Sequence, residues 1–133
     1  MAKQAIDPVL RELAPFTGCS KPELRVASHL VRSVSVSAGE VLMRQGEAGR
    51  DVMFVAEGAA TVTRNGRQVA VVGRGDVVGE LSLIVGAPRT ATVVARSAMT
   101  LAVFDDRDFE TMLDASPVVA GAVLRTAVRR LAA

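Results

Sequence analysis

Between residues 33 and 105 turn signals recur too often for any helix of ordinary length to fit between them. They are "AGE" from residue 38, "QGEAGRD" from 45, "EG" from 57, "RNG" from 64 and "GRGD" from 73. The intervening pieces, "VLMR", "VMFVA", "ATVTR" and "QVAVV", are short and rich in β-branched residues, as are "ATVVAR" and "TLAVFD" further on. "SVSVS" at 33–37 alternates strictly, as a half-buried strand does. Asn65-Gly66, between "TVTR" and "RQVAV", asks for a two-residue hairpin of type I′, in which both central residues take positive φ. About eight short strands at this spacing predict an all-β sandwich or barrel.

The flanks have a different period. Ile6, Val9, Leu10 and Leu13 recur at helical spacing over residues 4–14, and "FTGC" ends that helix. Ser20 with Glu23 three positions later forms a capping box, with Pro22 in the first turn, and Leu24, Ala27, Leu30 and Val31 follow at helical spacing. After the strands, Asp105 or Asp106 caps a helix carrying Phe109, Met112 and Leu113 on one face. Pro117 opens a last helix whose apolar residues include Val118, Ala122, Leu124 and Val128. The expected fold is mainly β with flanking α-helices. Two N-terminal helices lie within 4–31, the strands within 33–105 and two C-terminal helices within 106–131, all in a single domain spanning 1–133.

Composition narrows the function classes. Half of the 133 residues are hydrophobic, so the chain can bury a core, but there are only four Phe and no Trp or Tyr. That core is expected to rest mainly on Val, Leu, Ala and Met. Sixteen cations against fourteen acids leave a net charge of +2, interspersed along the chain, which is no footprint for nucleic acid. Cys19 is the only cysteine, so an internal disulfide and a thiolate metal cluster are both excluded. A thiol beside a helix start can be acidified, yet no base accompanies Cys19, and an idle or structural thiol is expected. His29 is the only histidine, so neither a metal site nor a nucleophile–His–acid set can be assembled. No secretory signal and no membrane-spanning run is visible, and the reading is a cytoplasmic chain with no membrane insertion and no catalytic activity.

Residues 75–94, "GDVVGELSLIVGAPRTATVV", carry the remaining chemistry. If 79–85 forms a short helix, its first amides are unpaired and face outward. Gly79 allows close backbone approach, and a Gly86-Ala87-Pro88 turn can bring Arg89 back over the same spot. A guanidinium with converging amides suits a phosphate. Glu80 suits a neighbouring hydroxyl, and Thr90 and Thr92 add donors. Acid, base and amides together describe a sugar phosphate. The other reading is plainer: Glu80 as a dipole partner in a first turn and Arg89 as a solvated side chain.

"GELSLIVGAPRTAT" resembles the phosphate-binding cassette of cyclic-nucleotide-binding domains, of the kind found in catabolite activators, kinase regulatory subunits and gated channels. Upstream, "AGEVLMRQGEAGRDVMFVAEGAATV" resembles the family's strand-and-turn signature at Gly39, Glu40, Leu42, Gly46, Asp51, Phe54, Val55, Gly58 and Val62. The resemblance implies an eight-stranded antiparallel β-roll, jelly-roll-like, that encloses cAMP or cGMP, with no cofactor and no metal. It implies that Arg89 pairs with the cyclic phosphate and Glu80 accepts the ribose 2′-hydroxyl. Gly79, Leu81, Ser82, Thr90 and Ala91 would complete the ligand shell, and Val71 and Val78 would line the base pocket. Thr90 stands where a hydroxyl can meet a guanine amino group. It permits cGMP, while the compact, bacterial-type domain favours cAMP.

Two departures are visible. Val78 replaces the aromatic often found before Gly-Glu, and no aromatic follows Phe109 to cap the base. Arg125, Arg129 or Arg130 remain to cover it by cation–π stacking, or to stand solvated on the helix end. The resemblance further implies a sensor or regulatory module that moves its C-terminal helices and acts on a protein effector. Only about two turns follow Arg125, too little to read a DNA groove, so no direct DNA binding is expected. The alternative is a piece or relative of a larger regulator (transcription factor, channel, kinase or acyltransferase) with its output domain elsewhere.

Overall fold

The structure, a computed structural model, describes residues 8–132. The strands are β1 (Arg32–Val36), β2 (Val41–Met43), β3 (Asp51–Glu57), β4 (Ala60–Arg64), β5 (Arg67–Val72), β6 (Val77–Val78), β7 (Thr92–Ala95) and β8 (Met99–Asp105). The helices are α1 (Lys21–Leu30), α2 (Glu80–Val85), α3 (Asp106–Ala115) and α4 (Pro117–Ala132), preceded by one 3₁₀ turn at Ala14–Phe16. The strands form two four-stranded antiparallel sheets, in the orders β1-β8-β3-β6 and β2-β7-β4-β5. This is the mainly β architecture with flanking helices that the turn spacing predicts.

β3 and β8 are central strands buried on both faces. Along β3, Met53 and Val55 point between the sheets, where they meet Val72, Val78, Val93 and Leu101. The alternate residues Val52, Phe54 and Ala56 point outward, into a second core shared with the helices. All four phenylalanines sit in that outer core, each no more than 1 % exposed. Phe54 is edge-on to Phe16 at 5.0 Å and to Phe104 at 5.8 Å, and 6.4 Å from Phe109. The aliphatic core expected from composition is therefore the inner one. The few aromatics are concentrated where the 3₁₀ turn, the sheet and α3 meet.

The local signals fold as written. Ser20 and Glu23 make the reciprocal capping box. Asp105, rather than Asp106, caps α3 by accepting from the Asp108 amide at 2.8 Å. Asn65 and Gly66 take φ of 54° and 77°, as a type I′ turn requires.

One expectation needs correction. Of the helix expected over 4–14, residues 4–7 lie outside the described residues, and the rest is helical only at 8–10. The next amides bond three residues back (Glu12 to Val9 at 2.9 Å, Leu13 to Leu10 at 3.0 Å), and Pro15 withholds the amide that would continue the pattern. On α4 the buried residues are Val119, Val123 and Ala127, while Leu124 and Val128 are 56 % and 57 % exposed. Apolar residues surround that helix, so its sequence alone does not choose a face.

Candidate functional site

Gly79 ends β6 in a left-handed conformation (φ 93°) and caps α2. A side chain there would be strained, and its Cβ would lie 2.6 Å from the Asp51 carbonyl oxygen. Seven residues later Gly86, at φ 73°, closes the helix. The following segment is clamped to the β2–β3 turn, with the Gly46 amide donating to the Arg89 carbonyl (2.8 Å) and the Arg89 amide to the Glu47 carbonyl (2.9 Å). The "QGEAGRD" turn is thus structural, and what it holds is Arg89.

The Arg89 side chain folds inward and the residue is 6 % exposed. Its guanidinium donates to the carbonyl oxygens of Gly79 (3.2 Å) and Asp51 (2.9 Å), and to Ser82 Oγ (3.0 Å). Ser82 in turn donates to the Gly79 carbonyl at 3.1 Å. Gly49 covers the group so closely that a Cβ there would overlap Nε and Cζ. Burial pushes the Arg89 pKa down, while Asp51 and Glu80 pull it up. No carboxylate forms an ion pair with Arg89 among the described residues. It is a fixed, desolvated cation held by neutral acceptors.

Glu80, at the first position of α2, is 1 % exposed. Arg130, near the end of α4, reaches it with one nitrogen 2.7 Å from each carboxylate oxygen. Fifty residues of chain separate these partners, and the pair ties the last helix to the cassette.

Arg89, Glu80 and Arg130 open into one cleft of about 780 Å³ including its mouth. Gly79, Leu81, Ser82, Thr90, Ala91 and Val78 line it too, so the structure brings most of the expected site residues together. Three expected residues lie elsewhere. Val71 is 45 % exposed and belongs to a crevice beside α4, because the strand presents Val72 to the cleft instead. Arg125 and Arg129 line that same outer crevice and not the cleft.

Met43, Val62, Val69, Ala70 and Val93 complete an apolar wall, and Arg64 joins it. Sequence reasoning missed Gly49, Arg64 and the Asp51 carbonyl. Gly49 had a signal of its own, a second glycine inside one turn. Arg64 had none. Cys19 lies away from the cleft and shares a 3.5 Å contact with Ser116 Oγ. Burial raises its pKa, outweighing the hydrogen bond shared with Ser116, so this thiol is not acidified. Among the described residues no group of His, Cys, Asp and Glu is placed to hold a metal ion, and no helix is long and apolar enough to cross a membrane.

Residues 33–116 match the family model described as the cyclic nucleotide-binding domain. The chain belongs to that family. A cyclic nucleotide-gated potassium channel of Rhizobium etli is 38 % identical over 71 % of this chain and 26 % of its own length. The acetyltransferase Pat of Mycolicibacterium smegmatis is 34 % identical over 93 % of this chain and 38 % of its own. The regulatory domain of Toxoplasma gondii protein kinase A, solved with cAMP, superposes with a TM-score of 0.72 at 30 % identity, covering 83 % of this chain and 44 % of that one. This cyclic nucleotide-binding regulatory domain thus spans about a quarter to two fifths of those two curated relatives.

Proposed function

We propose that the cleft binds a purine 3′,5′-cyclic nucleotide and that the domain is a non-catalytic sensor that reports occupancy through α4. One observation carries the reading: Arg89 is a buried guanidinium with three neutral acceptors and no ion pair among the described residues. Burying a charge in this way is costly unless an anion completes it. A cyclic phosphate, singly charged and small enough to sit against the cassette, does so. The amides about Leu81 and Thr90 add donors, and the apolar wall takes the base. The kinase regulatory domain solved with cAMP supports cAMP as the first ligand to test.

Glu80 supplies the coupling. A ribose 2′-hydroxyl donating to Glu80 competes with Arg130 or shares the carboxylate with it, so occupancy changes how firmly α4 is held. A ligand shifts α4 only by its differential affinity for the two arrangements. An output element, in a longer chain or on a separate protein, would read the position of α4. The channel and acetyltransferase relatives, both much longer than this chain, support that division of labour.

Calorimetric titration with cAMP and cGMP tests the reading. Arg89→Ala should weaken binding by roughly 2–5 kcal/mol, since a buried phosphate loses its charged partner. Unchanged affinity in this variant would remove the phosphate role.

A further inference from the structure

We infer that Arg64 is a specificity-determining residue of the cleft, one that recognises a six-oxo purine such as guanine through its O6 and N7 edge. This rests on the cyclic-nucleotide reading above. Arg64 ends β4, in a sheet where β4 lies between β5 and β7. Thr63 pairs with Thr92, so the strand end lies beside the Thr90–Ala91 stretch that leads into β7. The residue lines the cleft on its otherwise apolar wall, with Val62, Val69 and Val72. Among the described residues its side chain has no ion pair and no hydrogen bond.

Arg64 is half-buried, so water is the acceptor for its fork until a ligand supplies one. The phosphate already has Arg89, which three hydrogen bonds hold in place. What remains for Arg64 is the base. An arginine only donates. The O6 and N7 of guanine or hypoxanthine are two adjacent acceptors that match its fork, whereas adenine offers N7 beside an N6 donor. Arg64 therefore widens the cleft's acceptance beyond cAMP. It does so independently of Thr90, whose hydroxyl suits the guanine 2-amino group.

Three ligands separate these roles: cAMP, cGMP and cIMP, the last keeping O6 and N7 but lacking the 2-amino group. Arg64→Met preserves the stem and removes the donors. It should weaken cGMP and cIMP by roughly 10- to 100-fold and leave cAMP within about twofold. Thr90→Ala should weaken cGMP alone. An equal loss for all three nucleotides in Arg64→Met, with an unchanged melting temperature, would place Arg64 on the phosphate or in the wall and overturn the inference. So would no loss for any of them. If the wild-type domain binds none of the three, the cyclic-nucleotide reading fails and this inference fails with it.

Discussion

Gly49→Ala offers a way to disable the site without touching any group expected to meet the ligand. A methyl group there would occupy the space of Arg89 Nε and Cζ. The obstacle is the far end of a flexible side chain, so the guanidinium moves and the backbone need not. Displaced, it loses the acceptors at Asp51 O (2.9 Å), Ser82 Oγ (3.0 Å) and Gly79 O (3.2 Å). Bonds to a charged group contribute about 1.5–3 kcal/mol each, but the released cation regains water, so the stability change should stay within about 1 kcal/mol. Binding has no such compensation. The phosphate meets a cation out of position, and the loss should approach that of Arg89→Ala, roughly 2–5 kcal/mol. Calorimetry with cAMP measures the affinity and a thermal melt the stability. Wild-type affinity in Gly49→Ala would refute the argument that a fixed Arg89 is the phosphate partner. Gly79→Ala is the contrasting variant, because its Cβ meets backbone at positive φ and should destabilise the fold itself.

The remaining predictions follow the other polar groups. Arg130→Ala leaves Glu80 buried without its partner and should lower stability toward the low end of roughly 3–5 kcal/mol, since Arg130 is itself partly exposed; a melting temperature equal to wild type would show that the pair does not hold α4. The Glu23 carboxylate is held below its usual range, chiefly by the Ser20 amide. Its stabilising effect is complete above the unfolded glutamate pKa and is lost as pH falls through the lowered folded value, so the melting difference between wild type and Glu23→Gln should shrink from about pH 6 to about pH 3. Cys19, with its pKa raised by burial, should alkylate with iodoacetamide at neutral pH more slowly than a free thiol; labelling at the free-thiol rate would show an open, unperturbed group.

The strand pattern was legible because its turn chemistry is local. Asn65-Gly66, the capping box at Ser20 and the glycine punctuation each act over a few residues, and each formed. β6, only two residues long, carries too little pattern to be seen. Val71 and Val72 show a different limit. Both are β-branched neighbours on one strand, and which of them faces the cleft depends on a register shift between β4 and β5 that a single strand does not encode. The cassette motif pointed to Glu80 and Arg89 together. It did not reveal that Arg130 holds Glu80, or that Gly49 shapes the seat of Arg89, because those contacts join segments fifty and forty residues away. Arg64 was silent for the same reason, since its position in the cleft follows from sheet order and not from its neighbours in sequence.

The central claim is that Arg89 and the adjoining cassette amides meet a cyclic phosphate. An NMR titration of the ¹⁵N-labelled domain with cAMP observes those groups directly, with the Arg89 Nε–H signal assigned by its loss in Arg89→Lys. The account predicts saturable, concerted shifts of that signal and of the Leu81, Ser82, Thr90 and Ala91 amides at one equivalent of ligand. Saturation that leaves the Arg89 signal and these amides in place, or a titration with no shifts at all, would contradict it.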